Sequence, residues 1–456
     1  MKTIPESLLQ SLETINGFDK TAFIEAHQQL PPTSVRLHPK KSTGSQLEVL
    51  SKIPWCDYGL YLPNRPVFTL DPSYHAGGYY VQEASSMFLH QVIKQLVYSD
   101  QPLRALDLCA APGGKSTLLA SLLDEKDLLV SNEVIRTRAG ILEENVIRWG
   151  YSNNWVTSND PKDFGRLEGY FDLVVVDAPC SGSGLFRKDG RALTSWTEAN
   201  VALCASRQKR IIADVWGSLR ENGILVYATC SYSPEENEQL LDWIASELDS
   251  DSLSVTLPEN SGITTTFSER HQYAGYRFFP DKVKGEGFFI AAIRKTAALT
   301  SSKLPKPKAL KPEKHKHDIV NILREGNWQL LEQKDGFAAI DAAHLTDYHL
   351  LRQFVYLRKT GVLIGNFTPK EWIPHHEVAM STDKAACLPK LEVTKEIALK
   401  FLKKEELNMT QTGKGWYLVH HEGLSLGWIK ALGNRVNNYL PKNWRIRMEL
   451  PAEDWA

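Results

Sequence analysis

The sequence predicts an α/β fold with a mostly parallel sheet at its centre, an α+β module before it and an α+β extension after it. Three observations carry this. Between residues 100 and 297, short apolar runs alternate with helical stretches. Each of five such runs closes on a polar or reactive side chain. The segment SSKLPKPKALKPEKHKHD (301–318), with six lysines, three prolines and no apolar periodicity, then separates this block from a tail rich in Trp and Tyr.

The 456 residues are enough for about three domains of roughly 150 residues. Hydrophobic content of 42% and charged content of 23% are ordinary for a globular protein. The formal net charge of −1 provides no global basic field, so any nucleic-acid site must be a local patch. Six cysteines without a CxxC spacing form neither a disulfide framework nor a zinc site. Reduced thiols in a cytoplasmic protein are expected. The N-terminus lacks a signal-peptide core, and no apolar run approaches a membrane span, so no membrane partner is expected.

The N-terminal module covers 1–98. It opens with an amphipathic helix around Pro5 to Ile15, is punctuated by Pro31-Pro32 and Pro63 to Pro66, and ends with GGYYVQEASSMFLHQVIKQL, which runs from a Gly-rich turn into a helix. The central domain covers 99–297 and the linker 298–318. Residues 319–456 form a separate C-terminal part, whose stretch from about 380 reads as short strands and turns.

In the central domain RALDLC ends near Asp107, LLVSNE at Glu133, WVTSND at Asp160, DLVVVD at Asp177 and GILVYATC at Cys230. In an open parallel sheet the ligand crevice lies beyond the carboxyl ends of the strands, so these side chains converge on one cleft. The loop after the first strand is CAAPGGKST: Cys109, Ala110, Ala111, Pro112, Gly113, Gly114 and Lys115 lead into a helix. The two glycines let the backbone turn sharply against a ligand. A phosphate-binding P-loop would need glycine where Cys109 stands, and GxGxxG is absent, so nucleotide hydrolysis and dinucleotide binding are disfavoured. A nucleoside without a pyrophosphate fits better. Glu133 is placed to grip ribose hydroxyls and Asp160 to meet an adenine amino group, and S-adenosylmethionine has both parts and no phosphate.

DAPCSGSG (177–184) and ATCSYSPEENE (228–238) place Cys180 and Cys230 at or just past neighbouring strand ends. One such cysteine is ordinarily a small buried hydrophobe; two at one ligand edge suggest covalent chemistry. Carbon 5 of cytosine is a poor nucleophile, and a thiolate added to carbon 6 activates it. Asp177 is placed to hydrogen-bond the ring nitrogen as charge develops. Either cysteine could attack on this reading. Cys56, Cys109, Cys204 and Cys387 read as structural.

Taken together, DLCAAPGGKST, NEVIRTR, DAPCSGSG, YATCSYSPEENE, GYRFFPDKVKGEGFFIAAIRK and the upstream GGYYVQEASSM resemble the Sun/Nop family of RNA cytosine carbon-5 methyltransferases over roughly residues 75–297. The resemblance implies a Rossmann-like S-adenosylmethionine-dependent methyltransferase domain, with cofactor contacts from Cys109 through Lys115 and from Glu133, Arg138, Asp160 and Asp177. It implies that Cys230 attacks and that Cys180 helps break the adduct. It also implies an RNA-binding or positioning role for 1–98. Finer matching is to the bacterial RsmF-like branch, which acts on 16S ribosomal RNA. This implies a C-terminal extension ending in a PUA-like RNA-binding β domain at 381–456 and, as partner, ribosomal RNA within the small subunit; residues 319–380 match nothing in the family and read as a connecting domain, and a monomer is expected. Between Trp428 and Arg447 five basic residues and no acid are interleaved with Trp428, Tyr439 and Trp444, a composition suited to unpaired RNA. Transfer RNA or DNA as substrate, or a catalytically inert assembly factor, are the rival readings.

Overall fold

The computed structural model describes residues 3–41, 47–297, 321–407, 413–433 and 435–450; the predicted linker lies outside them. The N-terminal module holds a four-stranded sheet ordered Ser51–Lys52, Gly59–Leu62, Thr33–Leu37, Tyr79–Val81, while its helices Glu6–Leu12 and Lys20–His27 pack against Phe186, Trp196, Tyr232 and Phe279 of the central domain. The first helix buries Leu8, Leu9 and Leu12, the apolar positions of the predicted amphipathic segment.

All five predicted strands form: Arg104–Asp107, Leu128–Asn132, Asn154–Thr157, Phe171–Asp177 and Leu219–Thr229. They pair in parallel, with Arg104–Asp107 between Leu128–Asn132 and Phe171–Asp177. Three antiparallel strands, Phe288–Lys295, Ala274–Phe278 and Thr264–Phe267, extend the sheet beyond Leu219–Thr229. The chain order reverses around Arg104–Asp107, so the crevice of an open sheet falls at the ends of that strand and its neighbours. Two apolar layers cover the sheet. One contains Leu119, Leu129 and Val226; the other contains Leu106, Val176 and Ile212.

Residues 321–380 are not separate from this sheet. Their strand Leu357–Lys359 pairs antiparallel with Asn154–Thr157. That edge would otherwise present unpaired backbone groups. The attachment is deepened by Asp347, which accepts from Arg104 Nε and from the Tyr170 hydroxyl, both at 2.6 Å. A four-stranded antiparallel sheet, Trp328–Gln333 to Trp372–Pro374, completes this unit.

The last unit has strands Lys390–Glu392, Gly415–His421, Leu424–Ala431 and Val436–Asn438. It also contains the helix Lys395–Lys403, absent from the strand-and-turn reading. Thr394 caps that helix through Ile397 N, and Ala398, Leu399, Phe401 and Leu402 form its buried face. Among the described residues no helix is long and apolar enough to cross a membrane.

Candidate active site

The loop after Arg104–Asp107 is held at both ends. Ala110 N donates to Asn132 O at 2.8 Å, and a cis Ala111–Pro112 peptide leads into Gly113. Gly113 has φ +115°, a conformation that disfavours any side chain, and it starts the helix Gly114–Leu122. The buried Arg36 of the N-terminal module reaches this helix, donating to Thr117 Oγ1 at 2.6 Å while its Nε donates to Gln82 Oε1 at 2.8 Å.

Asp107 is wholly buried beneath the loop. Its Oδ2 accepts from Ser116 Oγ at 2.6 Å, and Oδ1 has no partner among the described residues. Burial raises its carboxyl to about 7; Ser116 opposes this, Asp177 adds to it and Lys115 opposes it. Glu133 accepts from Ile135 N at 2.9 Å and pairs with Arg138 at 3.2 Å. Arg138 also donates to Ala111 O at 2.8 Å, so it ties the acid to the loop. Asp160 caps the helix Pro161–Gly165 through Lys162 N. Asp177 pairs with Lys115 at 2.7 Å, and the Lys115 ammonium lies 5.0 Å from the centre of the Phe288 ring. Burial opposes charge on Lys115, but Asp177 and Asp107 outweigh it and the ammonium is favoured.

Strand register brings the two cysteines together. Asp177 faces Ala228 across the parallel pair, and Ala178 N donates to Ala228 O at 2.8 Å. Cys180 and Cys230 therefore leave adjacent strand ends, and their sulfurs lie 3.1 Å apart as free thiols. The Cys230 contact, then burial, pushes the Cys180 thiol well above its ordinary range. Gly184 N donates to Cys230 O at 2.9 Å and Gly287 N to Gly184 O at 3.1 Å, stitching both loops to the neighbouring turn.

Two cavities meet at Cys230, and the first of them also reaches Cys180. The first, about 460 Å³, is lined by Cys109, Ala111, Glu133, Arg138, Asp160 and Asp177, and reaches both Cys180 and Cys230. The second, about 270 Å³, is lined by Lys115, Glu286 and Phe288 on one side and by Tyr80, Gln82, Glu83 and Ser86 of the N-terminal module on the other. Cys109, Ala111, Asp177 and Cys230 border both. The predicted cofactor loop is thus divided. Ala110, Pro112, Gly114 and Lys115 face the second cavity, and Gly113 turns the chain between them. Cys109 borders both cavities, whereas Cys56 and Cys204 are buried away from them and Cys387 is exposed.

Sequence reasoning gave no role to Tyr80–Glu83, although GGYYVQEASSM carried the resemblance, nor to Arg207 and Arg210, which line the first cavity. It also missed Glu236. The C-terminal aromatic reading divides as well. Trp428 is core, donating to His375 O, and Trp444 packs on His376 with Arg148 4.8 Å from its ring. Tyr439 remains exposed, 4.5 Å from Trp416, and Arg435, Lys442, Arg445 and Arg447 are exposed near it in sequence. Trp416 and Trp372 line a larger cleft of about 870 Å³, which holds none of the cysteine chemistry.

Known proteins match over most of the chain. The family described as 16S rRNA methyltransferase RsmB/F matches residues 96–294. The N-terminal domain of 16S rRNA methyltransferase RsmF matches 4–84, and the methyltransferase RsmF PUA domain matches 388–446. Ribosomal RNA small subunit methyltransferase F of Vibrio atlanticus is 30% identical, covering 96% of this chain and 97% of its own. The protein of that name from Vibrio parahaemolyticus is 31% identical over the same shares. A solved structure of a methyltransferase homolog protein from Pyrococcus horikoshii aligns with TM-score 0.52 and 27% identity, over 64% of this chain and all of that one. With a Rossmann-like sheet, a thiol pair at its ligand edge and near-complete coverage of these relatives, the chain belongs to the RsmB/F family of 16S rRNA methyltransferases.

Proposed function

We propose that this methyltransferase acts on carbon 5 of a cytosine in 16S ribosomal RNA, with Cys230 attacking and Cys180 assisting release. The observation that carries the reading is the 3.1 Å thiol pair, whose Cys230 lies on the wall shared by two cavities and whose Cys180 lines the first, one cavity suited to a donor and one to a base. The first cavity fits S-adenosylmethionine. Its volume is in the usual range for small-molecule sites, and Glu133, Asp160 and Asp177 supply acceptors for hydroxyl and amino groups and a negative field for a cationic ligand. S-adenosylmethionine supplies an electrophilic methyl group when bound.

The protein's own groups do the rest. Cys230 Sγ, as a thiolate, bonds carbon 6 of the base, and the double-bond electrons move into the ring as nitrogen 3 takes a proton from water. Asp177, fixed by Lys115, is placed to accept a hydrogen bond from that nitrogen. Once carbon 5 carries the methyl group, a water molecule takes its proton, nitrogen 3 gives back the proton it took, the 5,6 double bond re-forms and the Cys230 sulfur leaves as a thiolate. Cys180, which burial and its neighbour keep protonated, assists the departure of that sulfur. The target base must be flipped or unpaired to enter the cavity. Tyr439, with the basic residues around it in sequence, gives the C-terminal unit an RNA-facing surface. Six free thiols and a reaction that needs two of them reduced fit an enzyme of the cytoplasm.

The test uses two variants with 16S and transfer RNA. Cys230→Ser is expected to abolish methylation and form no adduct. Cys180→Ser is expected to leave a protein–RNA crosslink that survives a denaturing gel. The reverse pattern rejects the roles, and methylation of transfer RNA alone rejects the substrate.

A further inference from the structure

Glu236 lies in the short 3₁₀ turn Pro234–Glu236 and is 0% exposed. Its Oε1 accepts from Ser181 N and from Gln208 Nε2, both at 2.9 Å. Its Oε2 accepts from Ser181 Oγ and Ser231 Oγ, both at 2.5 Å. Ser181 directly follows Cys180, and Ser231 directly follows Cys230. One carboxylate therefore grips the residue after each thiol. Gln208 extends the grip, donating also to Pro179 O at 3.1 Å, just before Cys180. On the other loop Asn237 donates to Ser231 O at 2.8 Å and accepts from Thr229 Oγ1 at 2.7 Å, so Cys230 is held from both sides.

The chemistry of the clamp favours an acid. A carboxylate accepts only, through about four lone-pair positions, and four donors meet it here. All four are uncharged, so hydrogen bonds alone offset the cost of burying the group. An amide of the same shape would turn an NH₂ group toward donors on one side. If stability alone were needed, apolar packing would serve at lower desolvation cost. Glu236 lines neither cavity, so it does not touch donor or base. Its charge adds to the Cys230 contact and burial in keeping Cys180 protonated.

We propose that Glu236 is a positioning residue that sets the spacing of Cys180 and Cys230 and thereby lets both act on one base. The role in turnover rests on the function proposed above; the role in spacing does not. Phenylarsine oxide, whose trivalent arsenic binds two thiols only when both are within reach, reads the spacing without RNA. The full chain should bind it tightly, and Cys180→Ser should abolish that binding. Glu236→Gln should weaken arsenical binding and lower kcat on the order of 100-fold, as expected for misplacement of reacting groups. Its KM for 16S RNA and its calorimetric affinity for S-adenosylmethionine should stay within about twofold of the parent. Ser231→Ala, which removes one donor, should shift both readouts the same way by a smaller factor, and it decides the matter if Glu236→Gln does not fold. Unchanged kcat in these variants overturns the proposal, and so does lost kcat with arsenical binding intact. An inactive wild-type chain would refute the substrate reading and leave the arsenical comparison to judge Glu236.

Discussion

Replacing Asp107 with asparagine should make the protein's pH-dependent stability change in a specific direction. The carboxyl group is wholly buried, with one hydrogen bond from Ser116 and a second oxygen that has no partner among the described residues. Burial raises it from 3.8 to about 7, Ser116 pulls it down and Asp177 pushes it up. The folded chain thus holds this proton more tightly than the unfolded chain. The associated stability is complete below about pH 4 and is lost as pH rises through 7. A rise of this size corresponds to about 4 kcal/mol in all, of which about 3 kcal/mol is lost between pH 5 and 7.5. Asp107→Asn does not titrate. Whatever the amide itself costs or contributes is common to both pH values, as are the other titrating groups. Urea unfolding of both chains at pH 5 and 7.5 should show the variant gaining about 3 kcal/mol on the parent at the higher pH. A difference independent of pH, or one that reverses sign, would refute the reasoning.

Two further perturbations address the frame around the thiols. A Cβ at Gly184 would lie 2.3 Å from Gly287 O and 2.9 Å from Cys230 O, both backbone atoms. Gly184→Ala should therefore cost about 1–3 kcal/mol and reduce single-turnover methylation, with S-adenosylmethionine affinity in calorimetry preserved; full activity would show that the Cys230 loop tolerates displacement. Arg277 is buried against Glu238, its Nε 2.7 Å from Oε1, and it donates to Tyr232 O at 2.6 Å. Glu238→Leu strands that guanidinium and should cost about 3–5 kcal/mol in chemical denaturation, while adding Arg277→Met should restore much of it. Failure of the double variant to recover would place the cost elsewhere.

The strand ends were legible because each apolar run closes on one distinctive side chain, and parallel strands aim such ends at one crevice. Convergence of Cys180 and Cys230 followed from that alone. Their contact distance did not, because it depends on Asp177 facing Ala228 in register. Glu236 was hidden for a related reason. In SPEENE it resembles any acid near a helix start, and only the fold removes it from water. The helix at 395–403 carried a readable signal in Thr394 and the spacing of Leu399 and Leu402, but it was overlooked among strand-like neighbours. Trp428 and Trp444 show the limit of composition: interleaving with basic residues does not reveal which face of a strand or turn a ring occupies. The edge strand Leu357–Lys359 has no pattern of its own, and its pairing is decided by the open edge beside it.

The second cavity is a joint between two folding units. The sheet supplies Lys115, Phe288 and the thiol, and the module before it supplies Tyr80, Gln82, Glu83 and Ser86. Among the described residues the first cavity draws none of its lining from that module. Under the function proposed above, methyl supply and base choice therefore draw on different stretches of chain. The seam has a narrow rivet: the buried guanidinium of Arg36, held between Gln82 of its own module and Thr117 on the far side. A transplanted module that lacked this arginine would leave those two polar groups facing each other across the interface.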